Sequence, residues 1–281
     1  MIVQMSTLGT NGRFANQIFQ YFFLKLIEKE LKHEIRYPTW LGAHVFNIPP
    51  SLNGIPIAGE SIFQQYYQPN STPKMELQYL DNILKFDSRK AVDLIGFFQY
   101  DTKYLKIYKN LFLEIFQIQS GLISQIHTYL HRKGLDPKSM VAVHVRRGDF
   151  LLQKDSSIFW CHSIKSIVSA LKEFELLDQE KKFLYLASDD VHTVAKELSD
   201  EKIYSITSYD LHPNLNKIQR VIVDFICLTL AESTLISNSS FSFAASMINQ
   251  NSKIFLRPDP ILDKFSQFSP WNSPILLSKN T

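Results

Sequence analysis

The sequence predicts an α/β protein of two domains, each built on a largely parallel sheet. Apolar runs of strand length alternate with amphipathic stretches of helical length, the order that right-handed β-α-β crossovers produce. The 281 residues exceed what one simple core usually organises. Between Gly134 and Ser139 a glycine and Pro137 interrupt the rhythm, which sets the expected domains at 1–137 and 138–258, followed by a tail over 259–281.

Each element has a local reason. Met1 to Ser6 reads as a short strand and Gly9 to Gly12 as a turn. Asn16 to His33 reads as a helix, because Phe19, Phe22, Phe23, Leu26 and Ile27 share one face. From Tyr37 to Asn82, Pro38, Pro49, Pro50, Pro56, Pro69 and Pro73 break any long element, so loops and short pieces are expected there. Asp93 to Tyr100 reads as a buried strand, and Ser120 to Arg132 as a helix with Gly134 suited to its C-terminal cap. Beyond residue 140, strands at Met140 to Val145, Phe183 to Ala187, Lys202 to Ile206, Thr234 to Ser237 and Lys253 to Leu256 alternate with helices. The helices run over Ser163 to Leu177, from the Ser188-Asp-Asp cap to about Leu198, over Lys217 to Ala231 and over Ser242 to Asn249. No internal repeat or low-complexity tract is apparent.

The hydrophobic fraction of 45% with 13% aromatics is ample for packed cores and speaks against disorder. A formal net charge of +3 and a pI near 8.6 are mildly basic and scattered, which suits an anionic small molecule better than nucleic acid. The opening Met1-Ile-Val-Gln-Met-Ser-Thr7 is too poor in apolar residues for a signal peptide, and no run nears the roughly 18 apolar residues that span a bilayer. A soluble, cytoplasmic protein is expected. Cys161 and Cys227, each in a helical-looking segment, read as free buried thiols of a reducing compartment, where the sequons at Asn70 and Asn238 go unused.

Val141-Ala-Val-His-Val-Arg-Arg-Gly-Asp-Phe150 delivers His144, Arg146, Arg147 and Asp149 to the carboxyl end of a strand, where open α/β sheets bind ligands. Two arginine forks beside a Gly-Asp turn suit diphosphate oxygens, although an ordinary charged turn has the same composition. Two further segments bear on the choice. They are Thr10-Asn-Gly-Arg-Phe-Ala-Asn-Gln-Ile-Phe-Gln-Tyr21 and Leu235-Ile-Ser-Asn-Ser-Ser-Phe-Ser-Phe-Ala245. With the His-x-Arg-Arg-x-Asp pattern they resemble, in family order, the motifs of the inverting fucosyltransferases that use GDP-fucose, most closely the α-1,2-fucosyltransferases of glycosyltransferase family 11. Gly96-Phe-Phe-Gln99 is likewise similar to that family's Gly-Tyr-Phe-Gln.

The resemblance implies two Rossmann-like domains in the glycosyltransferase B architecture, the acceptor-side domain first, the GDP-sugar domain second, and a tail that crosses back to the first. It also implies an enzyme moving L-fucose from GDP-fucose to a galactoside, an oligosaccharide or glycolipid, in α-1,2 linkage; with no N-terminal anchor in the sequence, a bacterial-type enzyme is expected. The departing diphosphate gathers negative charge that must be stabilised. The chain has no Asp-x-Asp to hold a divalent cation, so no metal and no cofactor are expected and Arg146 or Arg147 supplies the cation; the resemblance implies Arg146 at the β-phosphate, with Arg147 supporting the fold or the acceptor side. Ser239, Ser240, Phe241 and Ser242 open a helix where free N–H groups favour an anion; Ser239 or Ser240 capping that helix is the plainer alternative. Gly12, Arg13, Asn16 and Gln17 form a loop that closes over the diphosphate, or Asn16 merely caps the first helix. His144 with Asp189 or Asp190 is placed near guanine, one aspartate serving instead as a cap. Asp149 is a candidate base, or a partner that fixes an arginine; Asp93 and Asp101 are alternatives.

Ala15 replaces the family's glycine, and Phe243-Ala244 its Trp-Trp, which bears on sugar and acceptor preference. Arg147-Gly-Asp149 as an adhesion signal and His127/His131 as metal ligands are both discounted, and no phosphate loop of the P-loop or dinucleotide type is present. A transferase for another GDP-sugar, and an inert GDP-sugar or glycan-binding module, are the competing readings.

Overall fold

The structure, a computed structural model, describes residues 2–49, 61–65, 71–86, 91–153, 155–177 and 181–279, with backbone alone for 61–65 and 86. The chain divides into two compact units, Met1–Gln117 and Ile118–Thr281.

The first unit contains β1 (Ile2–Gln4), α1 (Phe14–Leu31), β2 (Glu34–Arg36), β3 (Ser61–Gln65), α2 (Pro73–Phe86), β4 (Val92–Gly96) and α3 (Lys109–Ile115). Its sheet has the order β2-β1-β4-β3, all parallel. The expected face of α1 is buried, and so are Ile18 and Leu24 around it, so the helix is enclosed rather than laid on a surface. Aromatic contacts fill that enclosure: Phe22 meets Phe112 edge-on at 4.9 Å and Phe23 stacks on Phe98 at 4.4 Å. The loop expected over Tyr37 to Asn82 is corrected in part. It holds β3 and α2, and Pro73 is the first residue of α2, a place where proline's missing N–H costs nothing.

The second unit contains α4 (Ser120–Arg132), β5 (Met140–Val145), α5 (Ile164–Glu173), β6 (Phe183–Ser188), α6 (Val191–Asp200), β7 (Ser205–Ile206), α7 (Ser208–Leu211), α8 (Lys217–Leu230), β8 (Ser233–Leu235), α9 (Ser240–Ile248), β9 (Ile254–Pro258) and β10 (Phe265–Gln267). The strand order is β10-β9-β8-β5-β6-β7, parallel except for β10. All six residues of β5 are buried, as a central parallel strand covered on both faces requires. Val141, Val143 and Val145 pack in one core with Ile167, Val168 and Leu171 of α5 and Val194 and Leu198 of α6.

The helix α4 ends as expected: Gly134 has φ +71, its N–H reaches His131 O and Leu135 N–H reaches Leu130 O, the paired bonds of a Schellman cap. The unit boundary falls before this helix rather than after Pro137, because α4 packs on the second unit, with Tyr129 against His212 at 5.1 Å. The described tail is also built into the second unit, β10 pairing antiparallel to β9. Cys161 lies in a loop, half-buried, not in a helix; Cys227 is buried in α8, and both are free thiols. Among the described residues no helix is long and apolar enough to cross a membrane.

Candidate functional site

At the carboxyl edge of the second unit's sheet, β5 leaves the core into Arg146-Arg147-Gly148-Asp149. Ser237, beyond β8, stitches this exit: its hydroxyl donates to His144 O (2.7 Å) and accepts from Arg146 N–H (2.8 Å). The Arg146 guanidinium is gripped at both ends, Nη2 by Asp149 and Nη1 by Asp189 at 2.9 Å, with the Phe150 ring beneath it at 5.4 Å. Arg147 turns away and forms a two-pronged pair with Glu197 of α6, at 2.9 and 2.6 Å. That bonding raises the Arg147 pKa and lowers that of Glu197. Asp189 Oδ1 accepts Arg147 N–H at 2.9 Å, and a Cβ on Gly148 would collide with its other oxygen. Glycine is needed there so that the carboxylate can lie against the backbone.

His144 is buried, its Nδ1 is 2.8 Å from Ser242 Oγ and its ring lies beside Phe241. Burial pushes its pKa down to about 3, so the imidazole is neutral at physiological pH. Ser239 is the cap of α9, accepting Phe241 N–H, and Ser240 begins the helix half-exposed. Ser242 is wholly buried, its hydroxyl tied to His144 rather than turned to the open end of the helix. Asn238, 1% exposed, donates to Ile158 O and Leu277 O and accepts Leu277 N–H, each at 2.8 Å, clamping two loops beside the cap. Asp190 precedes α6 without a side-chain cap bond, so the expected aspartate cap is absent; Ser188 Oγ instead takes Asp190 N–H at 3.1 Å. Neighbouring His162 is buried with neither ring nitrogen hydrogen-bonded among the described residues, and burial lowers its pKa to about 4.

The first unit's carboxyl edge is held by amides. Gln20, fully buried, donates to Asn11 O (3.1 Å) and Gly96 O (2.9 Å); Gln17 donates to Gly12 O (3.2 Å). Asn16 does not cap α1, since Arg13 holds that position; Asn16 lies in the first turn and accepts Gln99 Nε2 at 2.8 Å. Ala15 is buried in the same turn, where a helical backbone suits alanine. Asp93 accepts Ser6 N–H at 2.9 Å and the Ser6 hydroxyl, a loop-holding role, and Asp101 accepts Lys103 N–H. Among the described residues no group of three or more His, Cys, Asp or Glu is placed to bind a metal.

The sequence motifs located Arg146, His144 and Asp149 but missed Ser237, Gly148, Glu197, Gln20 and Gln99. All of these but Glu197 lie inside the family-like segments and so carried a local signal.

The pattern of glycosyl transferase family 11 matches residues 2–269. Among curated protein sequences none matches significantly. In fold the chain is similar to the α-1,6-fucosyltransferase NodZ of Bradyrhizobium, solved with GDP-fucose (12% identity, 95% of this chain and 98% of that one, TM-score 0.55). It is also similar to POFUT1 in complex with GDP-fucose (12%, 91% and 96%, 0.57) and to an Arabidopsis thaliana FUT1 variant with GDP (11%, 95% and 73%, 0.59).

Proposed function

The chain belongs to glycosyltransferase family 11, and from that premise we propose that it moves L-fucose from GDP-fucose to a galactoside hydroxyl, with inversion, in α-1,2 linkage and without a metal ion. The first unit is assigned to the acceptor and the second to the donor. The observation that carries the reading is Arg146, a cationic fork fixed by Asp149 and Asp189 on a backbone stitched to the loop that leads into α9.

As the acceptor oxygen bonds to the sugar's C1 and its hydroxyl proton is released to solvent, the C1–O bond to GDP breaks and its electron pair goes to the β-phosphate. A cation already held in place stabilises that charge without reorganising. Ser240 and the first-turn N–H groups of α9, at the positive end of its dipole, add to it. Ser242 we assign to holding neutral His144, and Asp149 to holding Arg146 rather than to removing a proton. Arg147, engaged with Glu197, braces the loop. The Asp190 carboxylate, which accepts no hydrogen bond among the described residues, is the better reader of guanine's N1–H and exocyclic amine, since Asp189 serves the arginines.

The test is GDP release from GDP-fucose with lactose as acceptor, in EDTA, with GDP-mannose and UDP-galactose as controls and NMR of the product linkage. Turnover confined to GDP-fucose, resistant to EDTA and lowered several hundredfold in Arg146→Ala, about 3–4 kcal/mol of barrier, is expected. Preference for GDP-mannose, or GDP binding with no turnover of any donor, would overturn the reading.

A further inference from the structure

Resting on that reading, we propose that the Phe97 ring is the platform on which the acceptor's galactose packs, a specificity-determining residue of the first unit. Phe97 follows β4 directly, at the edge where ligands of such sheets lie. It is 37% exposed, whereas the next residue, Phe98, is 1% exposed and stacks on Phe23 with their planes 9° apart. Phe98 has φ 51, a left-handed conformation that bulky residues rarely adopt and that collects where structure is tied to function.

The surroundings of Phe97 hold its ring in place. Gly12, also left-handed at φ +74, lies so close that a Cβ would stand 2.9 Å from Phe97 Cε1 and 2.6 Å from Asn16 Nδ2. Any other residue there would push the ring or the amide aside. Gln17 holds the Gly12 carbonyl, Gln20 the Gly96 carbonyl, and Gln99 the Asn16 amide, so the chain on each side of the ring is pinned. An aromatic face bordered by the neutral Asn16–Gln99 pair matches a pyranose: the polarised C–H bonds of one sugar face pack on the ring's negative π-surface, and the hydroxyls meet amides able both to donate and to accept.

Phe97→Leu removes the aromatic face and, at an exposed position, leaves the core intact; Phe97→Tyr keeps the face. Expected are a rise of about tenfold in KM for lactose in Phe97→Leu, a near wild-type value in Phe97→Tyr, and unaltered GDP affinity by calorimetry in both. Saturation-transfer NMR with lactose reads the contact without turnover: signal in wild type and Phe97→Tyr, lost in Phe97→Leu. No lactose signal in wild type, an equal signal in Phe97→Leu, or a parallel loss of GDP affinity would overturn the proposal. Phe97-dependent lactose contact without transfer from any donor would leave the platform standing and remove the proposed activity.

Discussion

Gln20, Gln17 and the Asn16–Gln99 pair tie the loops of the first unit through neutral amides and main-chain carbonyls, whereas Arg146, Arg147, Asp149, Asp189 and Glu197 tie the equivalent loops of the second through charge. Amides keep their hydrogen bonds at any physiological pH or salt concentration. Ion pairs hold a cation in advance for an anion, but they are screened by salt and change with protonation. The first edge has the chemistry to meet hydroxyls, the second to meet phosphate.

The sharpest way to break this contrast is Arg146→Lys, which keeps the charge and loses the fork. One ammonium cannot be held by Asp149 and Asp189 while facing a diphosphate in the same geometry. A fall in kcat of several hundredfold is expected under saturating substrates, and a rate within fivefold of wild type would place the decisive cation elsewhere.

Acid should separate the units next. His144 and His162 have folded pKa values of about 3 and about 4, both lowered by burial from the ordinary 6.5. The unfolded chain therefore binds protons that the folded one excludes, and the stability present above pH 6.5 is lost as pH falls through that window. Between pH 7 and pH 5 the cost is about 2 kcal/mol per histidine. Urea unfolding should show it, hydrogen exchange should quicken in β5 and α9 before β1 and β4, and His162→Leu should remove one share of the slope.

Gln20→Leu tests the amide side. It leaves the Asn11 and Gly96 carbonyls short of a donor at a buried site, at a cost of about 1–2 kcal/mol. A lower melting temperature should come with weaker lactose binding and intact GDP binding. The smallest effect is expected from Glu197→Gln: with Glu197 39% exposed, solvent screening leaves the pair worth under about 1 kcal/mol. Because Arg147 lowers the Glu197 pKa, that contribution is present above the carboxylate range and disappears as acid protonates the glutamate. Salt should erase it in wild type, while the Gln20→Leu effect should persist.

What could be read beforehand follows how local each cause is. A valine-rich, mostly apolar run marked β5, and Gly134 marked the end of α4, because burial on both faces and a left-handed cap are written into neighbouring residues. Pro73 misled because proline stops one helix and starts another with the same ring. The short strands β2 and β10 depend on pairing partners distant in the chain, and three residues carry too little pattern to announce them. Arg146 was visible in its motif. Glu197 was not, since it reaches the site from α6 and nothing in its own neighbours records that approach; Ser237 lay inside a family-like segment, but its bridge to β5 joins elements far apart in the chain.

Asn238 has a practical consequence. With Ser239 and Ser240 it spells a glycosylation acceptor, yet its side-chain nitrogen already serves two carbonyls in a space with no room for a sugar. In a eukaryotic secretory host, an oligosaccharide added at this asparagine before the chain closes would hold the clamp open and trap a misfolded product. A bacterial cytosol avoids that hazard at this position.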